Sequence, residues 1–156
     1  MSGSASPPGA GFFLIVQAWG RDFALPIGCA RSVFRIEALT RTPLAPPWLL
    51  GLVNLHGRIV TVVCLNRRLR PDSPPLGAGS LAVAVELGRD LLALAVEDVG
   101  GVVEPQREDF LAEERAASVE PGGFALGALA RVGTGRQLAA VLDVRALFEL
   151  RTPTAA

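Results

Sequence analysis

The sequence predicts a mostly β protein built from two similar β units in tandem, and three observations carry that expectation. Glycine (17) and proline (12) are plentiful among the 156 residues, which suits short strands and turns better than long helices. Short aliphatic runs alternate with Gly-containing polar turns along much of the chain. A Gly-Arg-Asp turn at 20–22 recurs 68 residues later at 88–90, with matching apolar runs on both sides. With a one-residue slip, Ala24-Leu25 aligns with Ala93-Leu94, Ile27 with Val96 and Val33 with Val102. Three common residues recur by chance; three residues with matching flanks indicate an internal duplication.

The elements follow in order. Residues 1–10 read as a flexible tail, with neither the basic start nor the apolar core of a signal peptide. FFLIVQA (12–18), a W-G-R-D turn and FALPI (23–27) make a first hairpin. TPLAPPWLLGLVN (42–54) predicts a short helix begun by Pro46-Pro47. Asn54-Leu55-His56-Gly57 punctuates, and RIVTVVCL (58–65) is a strand with two largely apolar faces, expected to be central and buried on both sides. RPDSPPLGAGS (70–80) is the clearest linker. SLAVAVEL (80–87) and LLALAV (91–96) form the second hairpin, followed by DVGGVVEP (98–105). REDFLAEERAA (107–117) offers a helical turn or two with little amphipathic drive. ALGALARV (125–132), the turn GTGR (133–136) and QLAAVLDV (137–144) make a last hairpin. Asp143 is placed to cap a closing helix over 144–150, with Val144, Leu147 and Phe148 on one stripe.

Composition excludes several function classes. Every one of the 15 basic residues is Arg, and the formal net charge is zero. Residues 1–70 carry a net +6 and residues 71–156 a net −6. That suits a head-to-tail protein partner with one basic and one acidic end, not a uniformly basic nucleic-acid binder. No apolar run approaches the roughly 18 residues of a membrane helix. Cys29 and Cys64 both lie in apolar runs and read as buried, reduced thiols, so a cytoplasmic location is expected.

His56 is the one histidine. Nucleophilic catalysis needs a base beside a nucleophile and a group to orient it, and a metal site needs several converging ligands. His56 has no such neighbours in sequence, and Asn54 and Gly57 suit a tight turn. Glu97-Asp98 sits between two apolar runs, where turning a strand is its expected job. GTGR lacks the third glycine and following helix of a dinucleotide fold, and the absence of lysine excludes a P-loop. No enzyme, metal or cofactor site is expected. The alternative reading of another class is a small β-barrel enzyme using His56 with Cys29 or Cys64, which requires the imidazole within about 4 Å of a thiol.

WLLGLVNLHGRIVTVVCL (48–65) resembles the signature of CheW-type chemotaxis coupling proteins, which typically read Gly-Val-x-Asn-Leu-Arg-Gly-x-Ile-x-Pro-Val-x-x-Leu. The flanks FFLIVQAWGRDFALPIGCARSVFRI, LAVAVELGRDLLALAVEDVGGVV and ALGALARVGTGRQLAAVLDVRALF are similar to the family's hairpins and closing helix, in the same order over about 11–150. The resemblance implies two SH3-like five-stranded barrels with a shared core: barrel one about 11–70, a linker about 71–79 and barrel two about 80–150. Terminal strands are open to exchange between the barrels, and 151–156 form a tail. It also implies a cofactor-free scaffold that bridges a chemoreceptor cytoplasmic tip to the regulatory domain of a CheA-type histidine kinase.

Gly51, Asn54, Leu55, Gly57 and Ile59 match the motif. At the position of His56 the family usually has Arg, which contributes to receptor binding, and at that of Ser32 it often has Glu. Both members of that pair are replaced here, which points to altered receptor specificity or to a non-chemotactic two-component pathway such as pilus motility or development. The interaction zone implied is Ala30, Arg31, Ser32 and Val33 with Gly51, Val53, Asn54, Leu55, His56 and Gly57. The kinase contact is expected on the apolar strand surface of the first barrel and the receptor groove between barrels. Weak head-to-tail self-association is a further expectation.

Overall fold

A computed structural model describes residues 11–111, 124–129 and 138–149. Among them are eleven strands, numbered in chain order: β1 Phe13–Ala18, β2 Arg21–Pro26, β3 Ala30–Arg35, β4 Leu49–Leu55, β5 Arg58–Cys64, β6 Leu81–Leu87, β7 Asp90–Val96, β8 Asp98–Val103, β9 Phe110–Leu111, β10 Ala125–Leu129 and β11 Ala139–Leu142. Two short helices, α1 Leu65–Leu69 and α2 Val144–Leu147, follow β5 and β11. The mostly β class is as expected. One sheet has the order β8-β1-β2-β11-β10-β9 and the other β3-β6-β7-β5-β4. The sixth strand of the first sheet, β9, is only two residues long.

The two sheets are copies of one pattern. In both, a hairpin pairs antiparallel on one side and parallel on the other, β2 with β11 and β7 with β5. An offset of 69 residues maps β1–β8 pairing onto β6–β3 pairing residue by residue: Leu14 faces Val102 as Val83 faces Val33, and Val16 faces Val99 as Val85 faces Ala30. The bulge falls at the equivalent place, beside Gly100 in one sheet and Arg31 in the other. A second shared bulge precedes Gly51 in β4 and Gly127 in β10. Bulges bend and terminate pairing at defined points, so their recurrence identifies duplication independently of the Gly-Arg-Asp repeat.

The one-residue slip in that repeat has a turn-level cause. The β1–β2 loop is Trp19-Gly20, both at positive φ (54° and 69°), a type I′ pattern. The β6–β7 loop is Gly88-Arg89, with positive φ at Gly88 only, a type II′ pattern. The glycine has moved one place within a two-residue loop, and the strands have kept their pairing.

Each sheet takes its hairpin from one repeat and its remaining strands from the other. β1 and β2 belong with β8–β11, and β6 and β7 belong with β3–β5. Alternation then divides the side chains. Phe13 and Ile15 enter the interior of the first sheet with Ala24, Leu129 and Val141. Leu14, Val16, Val63, Val83, Val85, Leu94 and Leu142 fill the layer shared by both sheets. Val53, Leu55, Val60, Val62, Cys64, Ala82 and Ala93 fill the second sheet. Apolar residues on both faces of a strand are what a central strand between two interiors requires.

Two expectations need correction. Residues 46–51 are not a helix. One turn forms, with Leu49 N donating to Pro46 O at 3.0 Å, and the chain then enters β4, because Gly51 at φ 145° lies outside helical geometry. β5 lies between β7 and β4 as a central strand, but only its second half is buried on both faces; Ile59 is 66% exposed. The linker 70–80 carries no regular element. Residues 107–111 form a 3-10 turn, Arg107–Asp109, followed by β9. Residues 112–117, the turn 133–136 and both tails lie outside the described residues. Asp143 caps α2 as expected, with Oδ1 accepting from Ala146 N at 3.2 Å.

Candidate functional site

His56 and Gly57 are the two loop residues of the β4–β5 hairpin, both at positive φ (52° and 85°). Such a type I′ loop matches the twist of the flanking strands. Asn54 Oδ1 accepts from Gly57 N at 2.8 Å and fixes the loop from one side. His56 is thereby held out in solvent on a rigid turn. Val53 and Leu55 alternate with Asn54 and point into the second-sheet interior.

The hairpin end faces the chain leaving β3. Phe34, Arg35, Ile36, Glu37 and Ala38 line one side of a cleft of about 480 Å³, and Val53, Asn54, Leu55 and His56 line the other. Phe34, Ile36, Val53 and Leu55 supply its apolar floor; Arg35, Glu37, Asn54 and His56 supply a polar rim. Arg35 is oriented by its Nη1 donating to Gly79 O at 2.6 Å, and Ile36 N by Ser80 O at 2.8 Å. A half-open apolar trough with charges of both signs on its rim suits docking of a protein surface better than turnover of a small substrate.

The structure brings together four of the expected residues, Val53 to His56, and separates others from them. Ala30, Arg31, Ser32 and Val33 lie upstream on β3, outside the cleft. Arg31 is ion-paired with Glu86 on β6, and Val33 is 45% exposed on the edge strand. Gly51 is buried under Thr40, where a Cβ would sit 2.9 Å from the Thr40 carbonyl carbon and closer still to its oxygen. Residues 34–38 were not singled out from sequence. Their only signal is Arg35 and Glu37 flanking an apolar Ile36.

The chemistry of catalysis does not assemble around His56. Cys64 is fully buried at the far end of β5, roughly 20 Å along the strand. Cys29 is partly buried, and its Sγ donates to Pro26 O at 3.1 Å. Burial pushes the Cys29 thiol up to about 11 from 9.0, against the smaller lowering effect of a backbone hydrogen bond. That is the direction of an inert thiol, not an activated one. Both cysteines are free. Among the described residues no three His, Cys, Asp or Glu side chains are grouped to hold a metal ion. Glu97 has a structural job: its carboxylate accepts from Gly20 N at 3.3 Å and from Asn66 Nδ2 at 2.8 Å, tying the β1–β2 turn to α1.

The CheW-like domain family matches residues 13–152. The chain belongs to that family. A probable chemotaxis protein CheW from Rhizobium etli is 24% identical over 130 residues, covering 82% of this chain and 81% of the relative. The crystal structure of scaffolding protein TtCheW from Thermoanaerobacter tengcongensis superposes with a TM-score of 0.76 at 19% identity, covering 90% of this chain and 93% of that one. The CheW-like fold is therefore shown along with the family, and the tandem barrel-like arrangement with it. CheW-like chains are non-enzymatic scaffolds of chemotaxis signalling, which agrees with a His56 remote from Cys64. Among the described residues no helix is long and apolar enough to cross a membrane.

Proposed function

We propose that this CheW-like chain is an adaptor that couples the cytoplasmic tip of a chemoreceptor-like protein to the regulatory domain of a CheA-type histidine kinase. The family match across nearly the whole chain carries this reading. The cleft beside His56 supports it, since it offers an apolar floor and a polar rim on a rigid hairpin end. Ala30 to Val33 on β3, with Gly51, Val53 to Gly57 around the hairpin, are the residues assigned to partner contact. The chain works in the cytoplasm, recruited to receptor arrays, and needs no cofactor. Its effect is a coupling free energy: it holds receptor and kinase in a geometry through which ligand state biases the kinase.

A second reading is an adaptor of a non-chemotactic two-component pathway with altered receptor specificity. One observation favours it: His56 and Ser32 are both exposed and both differ from the Arg and Glu usual at those positions. Calorimetric titration against the regulatory domain of the same organism's CheA-type kinase tests the adaptor reading, with His56→Arg run against receptor tips beside it. Saturable kinase binding, with receptor affinity gained by His56→Arg, is the expected result. A well-folded protein that binds no kinase domain would remove the reading. Head-to-tail self-association is expected to be weak and to fall from low to high salt.

A further inference from the structure

A second cleft, of about 220 Å³, opens at the other end of β4 from His56, with Arg41, Thr42, Pro46, Pro47, Leu49 and Arg67 among its walls. The seven residues of β4 put roughly 20 Å between the two clefts. Arg67 is fixed in place by its side-chain bonds to backbone carbonyls: Nε donates to Ser73 O at 2.8 Å and Nη1 to Pro47 O at 3.2 Å. Neither acceptor carries a charge to neutralise the guanidinium. Arg41 is exposed and makes no hydrogen bond or ion pair with any described residue. The cleft therefore holds two arginines and no carboxylate.

The loop over this cleft presents an unusual leucine. Leu44 is 105% exposed and sits at φ 60°. Left-handed backbone is unfavourable for a leucine, whose Cβ crowds the following carbonyl oxygen, and full exposure recovers nothing by burial. The loop has little freedom to relax. Pro43, Pro46 and Pro47 restrict it. Thr40 and Leu52 are bonded in both directions at 2.9 and 2.7 Å at its start, and Leu49 N is bonded to Pro46 O at its end. Strain held in place by its surroundings marks functional surface.

We propose that loop 41–48 and its arginine cleft form a second docking surface, which takes an acidic segment of a partner protein. A carboxylate of that segment seats between Arg41 and Arg67, and an apolar side chain beside it packs on Leu44. Charge complementarity selects this occupant. The described residues of 27–97 hold eight arginines against five carboxylates; Arg41 can make charge-assisted bonds through its whole guanidinium, and Arg67, anchored to Ser73 O and Pro47 O, through its remaining N–H groups. The surface is separate from the His56 cleft and its use requires neither the kinase nor the receptor assignment.

The test is an amide-resolved NMR titration of the full chain at low salt. The probe is the peptide acetyl-Leu-Glu-Asp-Leu-Glu-Asp-amide, with free glutamate at matched carboxylate concentration as a second arm. Saturable shifts confined to the loop, the start of β4 and α1 are expected for the peptide. Arg41→Gln and Leu44→Asn should each weaken it about five-fold or more. Asparagine tolerates φ above zero, so Leu44→Asn keeps or raises the unfolding midpoint and separates lost binding from lost folding. Absence of saturable shifts, or shifts indifferent to both substitutions, overturns the proposal. An equal response to free glutamate overturns it as well, since the cleft is then a small-anion site.

Discussion

Gly51 sits where β4 bends past Thr40, and the backbone there has room for hydrogen alone. With φ at 145° and the Thr40 carbonyl against it, Gly51→Ala has no low-energy solution. A loss of about 3 kcal/mol or more of unfolding free energy is expected, measured by urea denaturation; a loss under about 1 kcal/mol would mean the approach of Thr40 is relaxed in solution. Gly51 was legible as a family-motif position, but its packing role was not, because nothing in the sequence tells which strand crosses above it. Cys29 gives a pH signature. Its folded-state value, about 11, lies above the ordinary 9.0, so the fold favours the neutral thiol. That contribution is complete below pH 9 and is lost as pH rises through 11. The urea midpoint of the wild type should fall further between pH 8 and 10.5 than that of Cys29→Ala; parallel curves would contradict the burial of this thiol.

The short helices show how elements are tied together. Arg68 of α1 is fully buried, with its guanidinium 3.9 Å from the centre of the Trp48 ring and 4.8 Å from that of Phe124. Its Nε donates to Leu147 O at 2.9 Å, and Nη2 to Ala146 O at 3.1 Å and Glu149 O at 2.6 Å. One side chain thus satisfies the end of α2, where a cation also meets the negative end of the helix. Arg68→Met keeps most of the volume but removes all three of these hydrogen bonds from the buried end of α2, so a cost of about 3 kcal/mol is expected from thermal or chemical unfolding. An unchanged midpoint would show that α2 is capped by other means. At this scale the sequence was readable where local chemistry decides. Hairpin loops declared themselves through Gly and apolar alternation, and Asp143 through its capping position. It was unreadable at Leu65–Leu69, since five residues give no period, and at Trp48–Leu52, where a proline start imitates a helix that Gly51 and the pairing with β5 prevent.

For the whole molecule, the exchange of hairpins decides how the chain holds together. β2 pairs parallel with β11 more than 100 residues away, and β7 with β5 across the linker. No local signal announces such pairings, so the duplication was legible in the residues themselves, while strand exchange between the halves entered only as something the family resemblance left open, with no strands or register assigned. The charge separation persists in milder form: the described residues of 11–26 and 98–149 hold three arginines against seven carboxylates, while 27–97 are net basic. Because each sheet needs strands from both repeats, residues 1–79 alone are expected to remain unfolded by circular dichroism and to gain structure on mixing with residues 80–156; an independently folded half would contradict the exchange. The central claim, that this CheW-like chain bridges two partners, is tested most directly by co-sedimentation of a CheA-type kinase with vesicles bearing the receptor. With the adaptor present the kinase should pellet with the receptor, and without it the kinase should stay largely in solution. Equal pelleting in its presence and absence would contradict the account.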